Sequence, residues 1–192
     1  MIFSYVCGMK NCAIVVVDVL YDFIDGGALA CAHSTEAAEA TAEFIRKHEG
    51  VPVLFVCDHH PSGHCSFKQQ GGPWPPHCVE GTHGAEIHEL LQPFVNEDLV
   101  FLKGCNEGVE QYSGFEGRNA AGQTLGEVLE IMETELVYVT GIATEYCVRN
   151  TAEDLLNAGF KVSIPEECLG WVDAAGHTSA LKALASAGAV IR

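Results

Sequence analysis

Three side chains of the sequence could together activate a thiol for attack on a carbonyl carbon. Each follows a short β-branched run: Asp18, Lys103 and Cys147 come after Val15–Val17, Val100–Leu102 and Val137–Thr140. In open α/β sheets, ligands bind beyond the carboxyl ends of the strands, so parallel strands would bring the three together. A lysine ammonium there would lower the thiol pKa, and a carboxylate could take its proton and return it to a leaving amine. Taken singly, the three are more typical of a turn residue, a surface charge and a buried thiol, respectively, and only their common position after strands favours the catalytic interpretation.

The surroundings of Cys147 favour the catalytic interpretation. Thr144 is a good N-cap residue, which would place Cys147 at the third position of a helix. At that position the helix dipole favours a thiolate. The sequence therefore predicts a reactive cysteine at a helix start.

A second group of residues has the chemistry of a metal site. Asp58 and His60 are two residues apart, so on an extended segment both side chains point the same way. His77, which follows a Trp-Pro-Pro run, would complete three ligands with open positions, as in catalytic zinc sites. His64 is predicted as a fourth ligand or as a neighbour of the ligands. Solvated loop histidines are the alternative.

These residues need a sheet to position them, and the chain has the pattern of one. Six apolar, β-branched runs predict buried strands: Ala13–Val17, Val53–Cys57, Leu99–Leu102, Leu136–Thr140, Lys161–Ile164 and Ala189–Ile191. Helical patterns alternate with them, over Thr35–His48, from Leu125 to Met132, from Val148 to a stop near Gly159, and around Leu181 before Gly188. Thr124 and Glu127 predict a capping box. The alternation predicts a three-layer, doubly wound α/β fold, with a mostly parallel six-stranded sheet and helices on both faces.

About 40 residues, 58–97, interrupt this alternation. Loops of that length are usually functional or disordered, and this one holds six of the nine histidines. We therefore interpret the whole chain, 1–192, as a single domain with a metal-binding loop insertion at about 58–97.

Composition excludes several classes of partner. The content of 48% hydrophobic and 19% charged residues is that of a globular protein. A net charge of −16 without a basic stripe argues against nucleic acid and anionic membranes, and no apolar run is long enough for a bilayer. Met1–Lys10 lacks the features of a signal peptide, with Met9 an alternative start. The nine cysteines, an odd number without C-x-x-C pairs, predict reduced thiols. We therefore expect a cytoplasmic protein.

Six stretches of the chain occur together and in this order: Val15–Phe23, Asp58–Pro61, Trp74–Thr82, Lys103-Gly104, Tyr112–Phe115 and Thr140–Val148. In them the chain resembles the isochorismatase-like cysteine hydrolases, and within these the nicotinamidases, also called pyrazinamidases. The combination is far more specific than any one stretch.

The resemblance implies an amidohydrolase that converts nicotinamide to nicotinate and ammonia through a cysteine thioester, in NAD salvage, and that also cleaves pyrazinamide. It implies Cys147 as nucleophile, Asp18 as base and Lys103 as activating cation. It also implies a cis peptide bond at Ile142-Ala143, with the N–H groups of Ala143 and Cys147 as the oxyanion hole.

The resemblance further implies Asp58, His60 and His77 as ligands of a divalent metal, zinc first, with iron or manganese as alternatives. Phe23, Trp74 and Tyr112 match an aromatic wall around the substrate ring, although ordinary core residues are an equal alternative. The implied partner is a small molecule, with a homo-oligomer left open.

The chain departs from the family pattern at two places. Leu20 and Tyr21 stand where the family often has Gln and Asn, and Glu110 and Gln111 where it has Asp-Ser. We expect the first change to loosen hydrogen bonds around Asp18 and the second to alter the pocket rim.

Other functions remain as alternatives. Isochorismatases and amidases of carbamoyl compounds share the fold but generally lack the implied metal set. A non-catalytic binding module on the same fold is a different class, which the intact Asp18, Lys103 and Cys147 disfavour. A nitrilase would use a glutamate base on another fold.

Overall fold

The six predicted strands form one sheet in which every neighbouring pair is parallel. The structure is a computed structural model that describes residues 11–192, so Met9, Cys7 and the expectation for the N-terminal segment lie outside it. The strands are β1 (Cys12–Val17), β2 (Val53–Asp58), β3 (Val100–Lys103), β4 (Leu136–Gly141), β5 (Lys161–Ile164) and β6 (Val190–Ile191). Their order across the sheet is β3-β2-β1-β4-β5-β6. The chain therefore winds outward from β1 in both directions, which confirms the doubly wound fold.

Four α-helices within the described residues cover the two faces of the sheet. They are α1 (Ser34–Lys47), α2 (Leu125–Ile131), α3 (Arg149–Asn157) and α4 (Ala174–Ala187). Because strand side chains alternate between faces, Ala13, Val15 and Val17 of β1 pack with α2, α3 and α4, whereas Ile14 and Val16 pack with α1. The three-layer arrangement predicted from the sequence is thus confirmed.

Local signals define the start of α2 and both ends of α4. Thr124 accepts a hydrogen bond from Glu127 N–H, and the Glu127 carboxylate accepts one from Thr124 N–H, so the predicted capping box is present. Gly188 ends α4 with a φ of 111°. Helix α4 begins earlier than its apolar pattern indicated, because the Asp173 carboxylate caps the N–H groups of Ala175 and Gly176.

The strand ends differ slightly from the predicted ones. Leu99, expected to open β3, lies instead in a short turn capped by the Asn96 side chain.

Within residues 11–192, no helix is both long enough and apolar enough to cross a membrane.

The long segment after β2 is ordered and does two things. Its first part carries the histidines over the carboxyl end of the sheet, where His60 pairs with Val79 in an isolated bridge. Its second part buries Ile87 and Leu91 in the same core as α1. The segment therefore positions the histidines and also packs, beside α1, on the face of the sheet that α1 covers.

Candidate active site

The strand order brings the polar side chains at the strand ends together. Asp18 directly follows β1, Asp58 and Lys103 end β2 and β3, and Cys147 lies between β4 and α3. Since β3, β2, β1 and β4 are successive neighbours in the sheet, these four residues share one edge.

Lys103 is the centre of this group. Its Nζ donates a short hydrogen bond to Asp58 Oδ1 and lies 3.3 Å from Cys147 Sγ. It also forms an ion pair with Asp18 Oδ2 at 2.9 Å. The lysine is 1% exposed, so the alternative of a surface charge is wrong. Burial would lower the pKa of Lys103, but Asp18 and Asp58 raise it well above its usual value and keep the ammonium charged.

Asp18 is fully buried, and its pKa lies close to neutral pH. Burial, and then the charge of Asp58, raise the pKa of Asp18 to about 6, although Lys103 acts in the opposite direction. Its Oδ1 accepts the backbone N–H of Asp58 at 2.8 Å. One oxygen is thus fixed, and Oδ2 retains the capacity to accept a proton.

Cys147 does not have the lowered pKa expected from its neighbours. Burial raises the pKa of the Cys147 thiol well above its usual value; Lys103 lowers it, but Asp18 and Asp58 raise it further. The expectation of a lowered thiol pKa is therefore wrong for this buried site. A thiol with a raised pKa needs a base when it reacts.

The turn that carries Cys147 also differs from the prediction. Thr144 does not cap a helix: Ala143 occupies the N-cap position, and residues Thr144–Val148 form one π-helical turn before α3. The Thr144 hydroxyl is buried and donates instead to the carbonyl of Gly170 at 2.9 Å. The peptide bond between Ile142 and Ala143 is cis, as the resemblance implied.

The candidate metal ligands lie together beside the thiol. One ligand-type atom from each of Asp58, His60 and His77 falls within 4.8 Å of the others, and all three residues are buried. Nδ1 of His60 bonds to the carbonyl of Gly104 at 3.0 Å, and Nδ1 of His77 bonds to that of Pro75 at 2.8 Å. A carbonyl only accepts, so both Nδ1 atoms carry protons and both Nε2 atoms are left as ligands. Two imidazole nitrogens and a carboxylate fit a divalent transition metal.

His64 lies outside this set of three. Its ring stacks on that of His60 at a centroid distance of 4.1 Å. Its Nε2 faces the carbonyl of Val109 at 3.2 Å, so Nε2 carries the proton, and Nδ1 is bonded to the Ser66 hydroxyl at 2.7 Å. Both nitrogens are therefore hydrogen-bonded, which favours the prediction of His64 as a neighbour of the candidate ligands over that of a fourth ligand.

A pocket opens over Cys147 between aromatic side chains. Its lining includes Phe23, Trp74 and Tyr112, the three predicted aromatic residues, together with Asp58 and His77. Ala143 and Cys147, both named from the sequence, also line it. The sequence did not single out the remaining lining residues, which are Leu29, Cys31, Tyr146 and Val172. Tyr146 packs edge-on against Trp74 at 5.2 Å, and Trp74 Nε1 donates to Tyr112 Oη at 3.3 Å. The aromatic rings thus support one another around the space above the thiol.

The sequence did not predict the contacts of three supporting residues. Asp22 accepts the N–H of Cys78 at 2.7 Å and thereby anchors the segment that carries His77. Gly104, at a φ of +66°, leaves room for the His60 ring, since a Cβ there would lie 2.4 Å from it. Gln111, expected to alter the pocket rim, instead accepts the N–H of Gly104 at 3.1 Å. Such contacts depend on long-range approach that no local pattern encodes.

The fold and the site together define a class: an α/β protein with a Cys-Lys-Asp cluster at the carboxyl edge of its sheet, beside a His-His-Asp cluster. The sequence family described as the isochorismatase domain matches residues 12–192. The chain belongs to this family.

Individual relatives cover nearly the full chain. The nicotinamidase/pyrazinamidase of Mycobacterium tuberculosis is 36% identical, over 91% of this chain and 95% of that protein. The zinc complex of the Pyrococcus horikoshii pyrazinamidase is 35% identical, with a TM-score of 0.86, covering 95% of this chain and 98% of that one. The Leishmania infantum protein PnC1 in complex with nicotinate is 31% identical, with a TM-score of 0.81, covering 95% and 92%.

Proposed function

We propose that this protein is a nicotinamidase, which hydrolyses nicotinamide to nicotinate and ammonia and also accepts pyrazinamide. The observation that carries the proposal is the contact of Lys103 Nζ with Cys147 Sγ, 3.3 Å long, inside a buried cluster that borders the Asp58, His60 and His77 site. Relatives named nicotinamidase that are 32 to 36% identical support the choice of substrate.

Acylation uses Cys147 as the nucleophile and Asp18 as the base. The thiol proton passes to Asp18 as Sγ attacks the amide carbon, and the carbonyl electron pair moves onto oxygen. The N–H groups of Ala143 and Cys147 form the oxyanion hole for that charge. Ala143 N–H has no acceptor among residues 11–192, so it is available to do so. The adduct then expels the nitrogen, which takes the proton from Asp18 and leaves as ammonia.

Deacylation reverses the proton path. A water molecule gives a proton to Asp18 as its oxygen attacks the thioester carbon. The carbon–sulfur bond breaks to release nicotinic acid, and Asp18 returns the proton to Sγ. Lys103 stays charged throughout and stabilises the transient thiolate 3.3 Å away, because its raised pKa keeps its proton in place.

Asp58, His60 and His77 are the residues that hold a divalent metal in this proposal. When bound, the ion would supply a Lewis-acid centre for the pyridine nitrogen of the substrate. Zinc is the first choice, supported by the zinc complex of the Pyrococcus horikoshii relative, with iron and manganese as alternatives. Phe23, Trp74 and Tyr112 pack around the substrate ring.

The proposal extends to the setting of the protein. In this proposal residues 1–192 form a single domain with a metal-binding segment at about 58–97. The protein acts in the cytoplasm, in the salvage of NAD. The partner is a small molecule, in keeping with the nicotinate bound by the Leishmania infantum relative.

Ammonia release tests this function. The purified full chain, loaded with zinc, is expected to release one ammonia and one nicotinate per nicotinamide consumed, and a chelator should suppress the rate until zinc is restored. Isochorismate and a carbamoyl amide serve as competing substrates, since related proteins of this fold use them. Faster turnover of either, or no ammonia from nicotinamide, would refute the proposed function, and substrate binding without turnover would indicate a binding module.

A further inference from the structure

A segment remote in sequence holds the turn that carries the oxyanion hole. Gly170 N–H donates to the carbonyl of Gly141 at 3.1 Å, and the Gly170 carbonyl accepts the N–H of Thr144 at 2.9 Å. The same carbonyl accepts the Thr144 hydroxyl at 2.9 Å. Gly170 therefore brackets the cis bond between Ile142 and Ala143 from both sides.

His177 of α4 completes this bracket. Its Nδ1 lies 3.0 Å from the Thr144 hydroxyl oxygen. A hydroxyl has one proton, and that of Thr144 goes to Gly170, so Thr144 must accept from His177 and Nδ1 must carry a proton. The direction of both hydrogen bonds is thus fixed: the His177 imidazole donates to the Thr144 hydroxyl, and that hydroxyl donates to the Gly170 carbonyl.

Packing holds the His177 ring in place. The residue is 8% exposed, and its ring lies against that of Trp171 at a centroid distance of 4.3 Å. Trp171 in turn stacks on His33 at 4.9 Å and pairs with Ala32 through two backbone hydrogen bonds. A donor fixed by such contacts can hold the buried Thr144 hydroxyl in a single orientation.

The position of Thr144 connects these hydrogen bonds to the proposed oxyanion hole. Thr144 directly follows Ala143, whose N–H has no acceptor within the described part of the chain and points to the developing oxyanion in the proposed mechanism. Oxyanion donors act through fixed placement, so small displacements of the donor are costly in rate.

We propose that His177 is a positioning residue of the oxyanion hole, which acts through Thr144 on the Ala143 N–H. The inference rests on the proposed amide hydrolysis. It assigns a kinetic role to α4, on which no predicted site residue lies.

Near-isosteric pairs of variants test the relay. Thr144→Val and His177→Leu remove the hydroxyl and the donor, whereas Thr144→Ser and His177→Asn retain them. For the first pair we expect kcat for nicotinamide to fall about 10- to 100-fold with KM changed less than about threefold. The second pair should remain within about threefold of the wild type. Nicotinaldehyde, whose thiol adduct carries an oxyanion, should bind the first pair more weakly by a similar factor, while nicotinate affinity is unchanged.

Thr178→Val is the matched control. Thr178 follows His177 on α4 but is exposed, and its hydroxyl donates to the carbonyl of Ala174, so its loss should leave kcat unchanged. Full kcat and full aldehyde affinity in folded Thr144→Val would overturn the relay, and this variant decides the matter if His177→Leu does not fold. Equal losses in all four variants would also overturn it, by indicating a purely structural role. A wild-type protein without ammonia release would instead refute the proposed function itself.

Discussion

The backbone N–H of Asp58 donates to the side chain of Asp18 at 2.8 Å, so the proposed base is hydrogen-bonded to a proposed metal ligand. The Asp58 carboxylate itself is shared, because Oδ1 accepts from Lys103 and Oδ2 lies 3.5 Å from His60 Nε2. Burial would raise the pKa of Asp58, but Lys103 and His60 lower it overall. The group of Asp18, Lys103 and Cys147 and the candidate metal site are therefore joined through Asp58 into one buried network.

Removal of the thiol should abolish turnover without unfolding the protein. We expect Cys147→Ala to lower kcat by several orders of magnitude, because the covalent path is lost. Ammonia release measures the rate, and thermal unfolding checks the fold. Cys168→Ala removes another buried thiol, whose charged and polar neighbours are Glu167, Thr41 and Lys47, and should retain full activity. Activity of Cys147→Ala within tenfold of the wild type would exclude Cys147 as the nucleophile.

Replacement of the base should be nearly as damaging. Asp18→Asn retains an oxygen for the Asp58 N–H but cannot accept the thiol proton, so we expect a loss of about 10²- to 10⁴-fold in kcat. The matched control is Asp25→Asn, at an exposed carboxylate that bonds to Thr35. A wild-type rate in Asp18→Asn, measured as ammonia release, would contradict the role of Asp18 in proton transfer.

The metal should depend on two histidines and not on the third. Elemental analysis of the wild-type chain is expected to find about one transition metal, lost or strongly depleted in His60→Ala and His77→Ala. His64→Ala should retain it, because both His64 nitrogens are bonded elsewhere. Since the ligands other than Asp58 come from the segment after β2, the circular dichroism spectrum should survive the loss of metal. Depletion in His64→Ala equal to that in His60→Ala would make His64 a fourth ligand.

Gln111 should tune metal affinity through Gly104. Its side-chain oxygen holds the Gly104 N–H, and the Gly104 carbonyl orients His60. Gln111→Met keeps the length but removes the acceptor, so we expect zinc affinity to fall about 10-fold in a chelator competition. Gln111→Glu keeps an acceptor and should bind zinc as the wild type does. A wild-type zinc affinity in Gln111→Met would show that Gly104 needs no such support.

The ring nitrogen of the substrate should dominate specificity. We expect kcat/KM for nicotinamide to exceed that for benzamide at least about 100-fold, on the order of 3 kcal/mol, because the rings match in size but benzamide leaves the ion without a partner. In His77→Ala this ratio should shrink toward one, beyond any general loss of rate. Comparable turnover of both amides by the wild type would contradict recognition of the ring nitrogen.

The sequence by itself determined the layers and the approximate ends of four strands. Apolar β-branched runs of four to six residues are buried on both faces only in a covered parallel sheet, so β1, β2, β4 and β5 were predictable to within one residue at either end. The capping box at Thr124 is a local motif and was equally predictable. The positions of Asp18, Lys103 and Cys147 after strands followed from the same pattern, which is why candidates for the site could be chosen without coordinates.

Only the tertiary structure decided the electrostatics and the supports of the site. The sequence indicated a lowered thiol pKa, but the pKa of Cys147 is raised, because desolvation depends on burial and burial depends on all the surrounding layers. Thr144 looked like a helix cap, yet its hydroxyl is bound to Gly170 and His177, more than 25 residues away. His64 matched a ligand by type, but contacts with Ser66 and Val109 occupy its nitrogens. Each outcome depends on which distant groups approach in space, and a local sequence pattern contains no information about that approach.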